Sequence, residues 1–357
     1  MRLVYRINAI ITVVMSFRAW VTLISLVLLA IVVIFGWPEI VEAWHLTSKT
    51  NLWILSLLIP VQILSYYATG GMIFSYLKSK GNLKDISHWK MTRISLELNF
   101  VNHILPSGGA AGFSYLAWVL HRHGVSPGRA TMSQVVRFIL TFVTFLLMLV
   151  VSVIWLIIDG KINQNVLLLS IGLAVLSIVG TVGTIYIIKS KHHLMRFSAW
   201  LARVVNKFVS FVTRRRKQDV VKSGVIEHFF EDLHGDYVEI RKDKRVLIVP
   251  FIWALFANLM DVFLLFIAFW ALGFWVDPAI LIVAFGLSSI ASVFSVTPGG
   301  AGVYEAIFIA FLATAGVPPE VAIAGTLMAR VALLLGTIVF GYVFYQLTIN
   351  KYGKHPA

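Results

Sequence analysis

Five ionisable side chains stand inside long apolar stretches of this 357-residue sequence: Glu97, Arg137, Asp261, Glu305 and Arg330. An Arg or Asp near the centre of a bilayer costs at least ~2.5–3.5 kcal/mol on insertion scales, so each such group is a candidate for function. Arg137 lies ten residues after Pro127, a natural first helical residue, which places it ~15 Å along its helix. Arg330 lies eleven residues after Pro319, ~16 Å along. Two arginines reaching mid-membrane from opposite faces fit an anion held near the centre. A structural alternative pairs them with Glu97 or Glu305 and merely locks the bundle. Asp261 could carry a proton, bind a cation or pair with an arginine. Asn99, Asn102, His103, Gln134 and Asn258 could line a polar path or act as interhelical hydrogen-bond glue.

Two glycine-rich breaks accompany these charges. The first is Pro106-Ser107-Gly108-Gly109-Ala110-Ala111-Gly112, and the second is Pro298-Gly299-Gly300-Ala301-Gly302. Each precedes a short helix, so unpaired backbone N–H groups and the positive end of a helix dipole would point into the membrane. Such termini bind phosphates and carboxylates. Paired glycines let a ligand approach the backbone closely. Tight packing is the competing reading, and for Gly112 the preferred one, because Gly108 and Gly112 form a small-xxx-small pair.

The elements that must carry these groups are membrane helices. Apolar residues make up 59% of the chain and charged residues only 13%, against roughly half and a quarter in soluble domains. A helical span needs about 20 apolar residues. Ala19–Trp37, Leu52–Leu77, Met132–Ile158, Val166–Ile188, Val246–Leu272 and Val321–Leu347 meet this. The first, with no small-residue cleavage site behind it, reads as a retained span rather than a signal peptide. With the N-terminus inside, nearly all Lys and Arg outside the spans fall on the cytoplasmic side, leaving only Lys49 and Lys161 outside; this positive-inside bias puts both termini in the cytoplasm. The net charge of +14 then favours an anionic leaflet over nucleic acid. Residues 189–245 read as a basic cytoplasmic linker with amphipathic helices, one over Leu194–Val212 and another through Val221, Ile226, Phe229 and Leu233.

Between the spans the chain repeats itself. Each glycine break is followed by a short apolar stretch, then Gly124-Val125-Ser126-Pro127 or Gly316-Val317-Pro318-Pro319, then Arg137 or Arg330. Arms such as Ile94–Leu105 and Gly109–Leu120 cover only about 18 Å, short of a ~30 Å hydrocarbon core. They predict a re-entrant hairpin; the second unit, with a longer first arm over Ala279–Val296, could instead make two full crossings. Following the chain through, residues 52–158 and 246–348 form the same span–hairpin–span unit with opposite orientation. Inverted repeats of this kind typify secondary transporters, whose broken helices meet at the substrate site. The expected architecture is an all-α integral membrane protein, one transmembrane domain over 1–357, with about six full spans and two re-entrant hairpins.

The residues from Pro106 to Gly112, Gly124 to Pro127 and Arg137, together with Thr297 to Glu305 and Arg330, resemble the flippase-like family that includes the transmembrane region of lysylphosphatidylglycerol synthetases. The Pro-Gly-Gly-x-Gly-x-x-Glu run of the second block is the more specific part. The resemblance implies a membrane lipid transporter or lipid-pathway partner, with phospholipids or polyprenyl-phosphate lipids as cargo. One departure stands out: Phe113 follows Gly112 where many members carry an acid. The soluble aminoacyl-transferring domain of the full synthetases is missing, so lysyl transfer is not expected.

Together these features predict a flippase or translocase for an anionic lipid. Its head group would rest on Pro106, Ser107, Gly108, Gly109, Arg137, Pro298, Gly299, Gly300, Gly302, Tyr304, Glu305 and Arg330, with Glu97, Asn102 and Asp261 along a polar or coupling path. The alternatives are a non-flipping enzyme or enzyme subunit acting on a lipid-linked substrate, and a gradient-driven transporter of a small soluble anion. No Walker A loop, H-E-x-x-H or G-x-S-x-G motif occurs. The absence of cysteine excludes disulfides, thiolate nucleophiles and Cys-ligated metals. No cofactor or metal is expected. Anionic membrane lipids are the expected partners, with a lipid-biosynthesis enzyme as a further one, in a bacterial cytoplasmic (inner) membrane.

Overall fold

The computed structural model describes residues 50–104, 110–160, 163–190, 192–193, 196, 223–293 and 300–353. Within them the chain is all-helical. The helices are α1 (Leu52–Ser56), α2 (Leu58–Ser79), α3 (His88–Ile104), α4 (Ala110–His121), α5 (Pro127–Ile158), α6 (Gln164–Lys189) and α7 (Ser223–Lys242). A 3₁₀ turn (Lys244–Leu247) leads into α8 (Ile248–Ala271), followed by α9 (Pro278–Val293), α10 (Val303–Thr314) and α11 (Pro319–Tyr352). Five stretches are long and apolar enough to cross a membrane: Leu52–Ser79, Pro127–Ile158, Gln164–Lys189, Lys244–Ala271 and Pro319–Tyr352. They match five of the six expected spans. The sixth, Ala19–Trp37, lies outside the described residues, as do Pro106, Ser107, Gly108, Gly109, Pro298, Gly299 and most of the expected helix over 194–212.

Local chemistry sets the helix ends. The Asn51 side chain accepts the N–H groups of Trp53 and Ile54, and the Asn163 side chain accepts that of Val166. Ser126 caps α5, with Pro127 in the first helical position. The Gly-Val-x-Pro signature proves to be the same turn built twice. After α4, Gly124 N–H donates to the His121 carbonyl and Val125 N–H to that of Leu120; after α10, Gly316 donates to Ala313 and Val317 to Leu312. Both glycines are left-handed, with φ of 76° and 88°. Nothing crowds a Cβ at either position, so the requirement for glycine is purely conformational. Gly124→Ala or Gly316→Ala is expected to cost about 1–2 kcal/mol, read as a lower thermal midpoint in detergent, with Asn costing less than Ala.

The two units pack alike. α2 and α8, their first helices, lie against each other in the most extensive helix contact of the described residues. The further contacts among the helices of the two units pair off: α2–α3 with α8–α9, α3–α4 with α9–α10, α4–α5 with α10–α11, α2–α5 with α8–α11, α3–α11 with α9–α5, and α8–α5 with α2–α11. The α3–α4 pair is an antiparallel hairpin, since Asn102 meets Gly112 near its tip and Glu97 meets Tyr115 further back. Its first arm has 17 residues rather than the expected dozen, beginning at His88; α4 and α10 have 12 each. At ~1.5 Å per residue those 12 cover about 18 Å. α6 stands outside the repeat against α5, with Leu168, Ile171, Val175 and Val179 facing outward.

α7, within the basic segment 189–245, docks on the first unit. It buries Leu233, Asp236 and Ile240 against the first unit. Arg129 contacts Asp236 at 3.0 Å, Lys80 contacts Glu239 at 2.9 Å, and Tyr76 Oη donates to Asp236 Oδ2 at 3.2 Å. The Lys80 ammonium holds the Glu239 carboxyl below the usual carboxylate range. A depressed folded value adds stability above the unfolded pKa of about 4.3 and loses it as pH falls through the folded one. The Lys80 latch is therefore expected to open only below about pH 4, whereas Glu239→Gln opens it at pH 7. In a chain without cysteine, spin labels placed on α2 and α7 would report the separation.

Candidate functional site

α10 and α11 bring the second set of predicted residues together. Arg330 Nε donates to Glu305 Oε1 at 2.6 Å, and its guanidinium lies 4.7 Å from the Tyr304 ring centre. The other carboxylate oxygen, Glu305 Oε2, accepts the Gly302 N–H at 2.6 Å, the acidic half of a capping box at the start of α10. One carboxylate thus holds an arginine and a helix N-terminus at once. The structural alternative raised for Arg330 is present here: it has an acidic partner.

Arg137 has none. Among the described residues, no carboxylate lies within ion-pair range of it, and its Nε is buried without an acceptor. Its guanidinium rests 4.8 Å from the Phe138 ring centre. One turn earlier, Gln134 is buried with neither amide atom bonded. Residues three apart share a helix face, so α5 presents one polar face that the described protein leaves unsatisfied. A buried unsatisfied group costs about 1–3 kcal/mol. The feature recurs: Thr326 stands seven residues after Pro319 as Gln134 stands seven after Pro127, and its Oγ1 is also buried and unbonded.

The expected symmetry of the two arginines does not hold in register. Phe138, not Arg137, stands eleven residues after its helix-starting proline, as Arg330 does. Phe113 stands eleven before Gly124, as Glu305 stands eleven before Gly316. Phe113 and Phe138 stack with ring centres 5.5 Å apart and planes 14° apart. An aromatic stack in the first unit therefore replaces the ion pair of the second. Arg137 is displaced from the equivalent position by one residue, or about 100° around the helix.

Glu97 goes elsewhere. It is completely buried and accepts from Arg93 Nε at 2.8 Å, Tyr115 Oη at 2.6 Å and Thr348 Oγ1 at 2.8 Å. Arg93 also donates to the Phe344 carbonyl at 3.0 Å. This knot ties α3, α4 and α11 and does not include Arg137. Asn102 Oδ1 accepts the Gly112 N–H at 3.1 Å, capping α4 from across the hairpin. A Cβ on Gly112 would collide with that side chain.

Among the described residues Asp261 pairs with no arginine. It accepts a hydrogen bond from Ser65 Oγ across the α2–α8 contact. Their neighbours explain the pairing. Gln62 on α2 donates to the Leu333 carbonyl (2.9 Å) and weakly to Thr337 (3.4 Å) on α11. Asn258 on α8 donates to the Thr141 carbonyl (3.0 Å) and Thr144 (2.8 Å) on α5. The two amides play the same part in the two units. Ser65 and Asp261 each stand three residues further on, so they are equivalent residues that touch.

Residues 11–341 match the family model described as the lysylphosphatidylglycerol synthase TM region. The chain belongs to this family. Two similar family relatives are archaeal. A UPF0104 membrane protein of Methanocaldococcus jannaschii is 24% identical over 324 residues, 89% of this chain and 90% of that protein. One of Methanothermobacter thermautotrophicus is 22% identical over 336 residues, 93% and 92% of the two chains. No solved structure matches. Among the described residues this family member has no group of three side chains able to hold a metal. Ser65 and Thr326 escaped the sequence reading, because small hydroxyls in apolar helices carry no signal alone; aligning the two units would have flagged both.

Proposed function

We propose that this chain is a translocase for lipids with an anionic head group, a phospholipid or polyprenyl-phosphate type, and not itself an enzyme. The observation that carries the reading is Gln134 beside Arg137, a buried amide and a cation that finds no counter-charge among the described residues, in the middle of a span. Intramembrane ionisable groups mark substrate paths, and a phosphate offers the acceptors these donors lack. The short arms α4 and α10, below the ~30 Å of a hydrocarbon core, support hairpins that enter and leave on one side. Inverted units place such breaks around a central site. The family's description concerns a lipid-modifying enzyme's membrane region, which supports lipid as cargo and a lipid-biosynthesis enzyme as a partner.

In this arrangement the head group would sit between the hairpin tips, with acyl chains left in the bilayer and basic helix ends on the cytoplasmic side. Reconstituted vesicles carrying a fluorescent anionic lipid provide the test. Transbilayer movement of that lipid, and little of a neutral one, is the expected result. Equal movement of both, or movement untouched by replacing Arg137 and Arg330 together, would sink the assignment.

A further inference from the structure

Among the described residues, Asp261 is a membrane-embedded carboxylate with no cation in ion-pair range. Asp261 lies in the middle of α8 and has one described hydrogen-bond donor, Ser65. The other membrane-embedded acids are spoken for: Glu97 by Arg93, Glu305 by Arg330. Two residues that are equivalent in two repeats and also touch each other must straddle the axis relating those repeats. Ser65 and Asp261 do both. In inverted repeats that exchange conformations, a group on this axis is the one place presented alike to either side.

Charge balance gives that group a task. Within the spans, Arg137 and Arg330 offset Asp261 and Glu305. Adding a singly charged anion leaves one negative charge uncompensated in a low-dielectric interior, where it is costly. We infer that Asp261 takes up one proton together with the anionic cargo and releases it on the opposite side, making transport an electroneutral proton–anion symport. This rests on the translocase reading. The step is a simple protonation: a proton from one aqueous phase joins an Asp261 carboxylate oxygen and leaves to the other phase. A proton fits better than a metal ion, since hard cations gather about six oxygens and Asp261 and Ser65 are two side chains. The titratable groups that Asp261 reaches are Tyr66 on α2, whose hydroxyl bonds Thr337, and Tyr304 on α10, with the Arg330 guanidinium of α11 lying on its ring. α9 has no titratable side chain.

The test uses the full chain in vesicles and measures leaflet asymmetry of a fluorescent anionic lipid. With one proton per charge, a gradient of one pH unit is expected to build up to about tenfold asymmetry, because one pH unit is a tenfold activity ratio. A potassium diffusion potential should build none. Asp261→Asn should reverse both responses: asymmetry near one under the pH gradient, and a response to potential, whatever its absolute rate. The exchange Ser65→Asp with Asp261→Ser moves the carboxylate across the axis and should restore pH coupling. Wild-type lipid movement that ignores the pH gradient, that follows a sodium gradient, or that keeps its pH response in Asp261→Asn would overturn the proposal while leaving translocation standing. A wild-type protein that moves no anionic lipid would remove the translocase reading, and the symport with it.

Discussion

Replacing Arg137 with glutamine is expected to slow anionic-lipid translocation about a hundredfold and to leave the protein at least as stable as before. The two halves of this result have one cause. Truncating one member of a buried charge pair typically costs 2–5 kcal/mol of binding, and ~3 kcal/mol is about a hundredfold. Among the described residues Arg137 has no counter-charge and its Nε has no acceptor, so removing the guanidinium removes a cost rather than a contact. Arg137→Met should therefore raise the thermal midpoint in detergent while abolishing transport. Arg330→Gln should differ, because it leaves Glu305 with only the Gly302 N–H among its described partners; stability and transport then fall together. Vesicle assays and melting curves on the same purified variants separate these patterns. A large loss of stability in Arg137→Gln would show that Arg137 is structural.

Glu97→Ala should show the opposite profile, with a loss of about 3 kcal/mol of stability. The substitution leaves the Tyr115 and Thr348 hydroxyls without their buried acceptor, at about 1–3 kcal/mol each. Breaking a buried pair from one side costs 3–5 kcal/mol. The lower end applies here, because Arg93 is about a third exposed and keeps its bonds to Phe344 and Thr348. Glu97→Gln retains an acceptor oxygen and should lose roughly half as much. Chemical or thermal unfolding in detergent measures both, and a loss under ~1 kcal/mol for Glu97→Ala would contradict the knot described above.

The spans were readable because a bilayer demands about twenty apolar residues in a row, and few arrangements of sequence satisfy that by accident. The repeat was readable because a left-handed glycine followed by a proline-started helix is a demanding local structure, so Gly124 to Pro127 and Gly316 to Pro319 had to look alike. Partnership among the charges was less visible. Glu97 was open to pairing with Arg137, yet its partner sits four residues away on its own helix, where i,i+4 geometry favours contact. The offset between Arg137 and Arg330 was visible as one residue of spacing, but its meaning is angular: a helix converts one residue into about 100°. Docking of α7 was hidden because Lys80 and Arg129 count equally well as topology signals and as ion-pair partners. The Pro-Gly-Gly cradle proposed from sequence lies largely outside the described residues; Gly300, Gly302, Tyr304 and Glu305 are its visible edge.

The hydrogen bond between Ser65 and Asp261 also bears on ancestry. Had the two units been separate identical chains inserted in opposite directions, the residues meeting on their axis would be copies of each other. Two aspartates there would repel, and two serines would carry no charge. A serine facing an aspartate requires two halves that mutate independently, so this contact could arise only after duplication had given the two halves separate sequences.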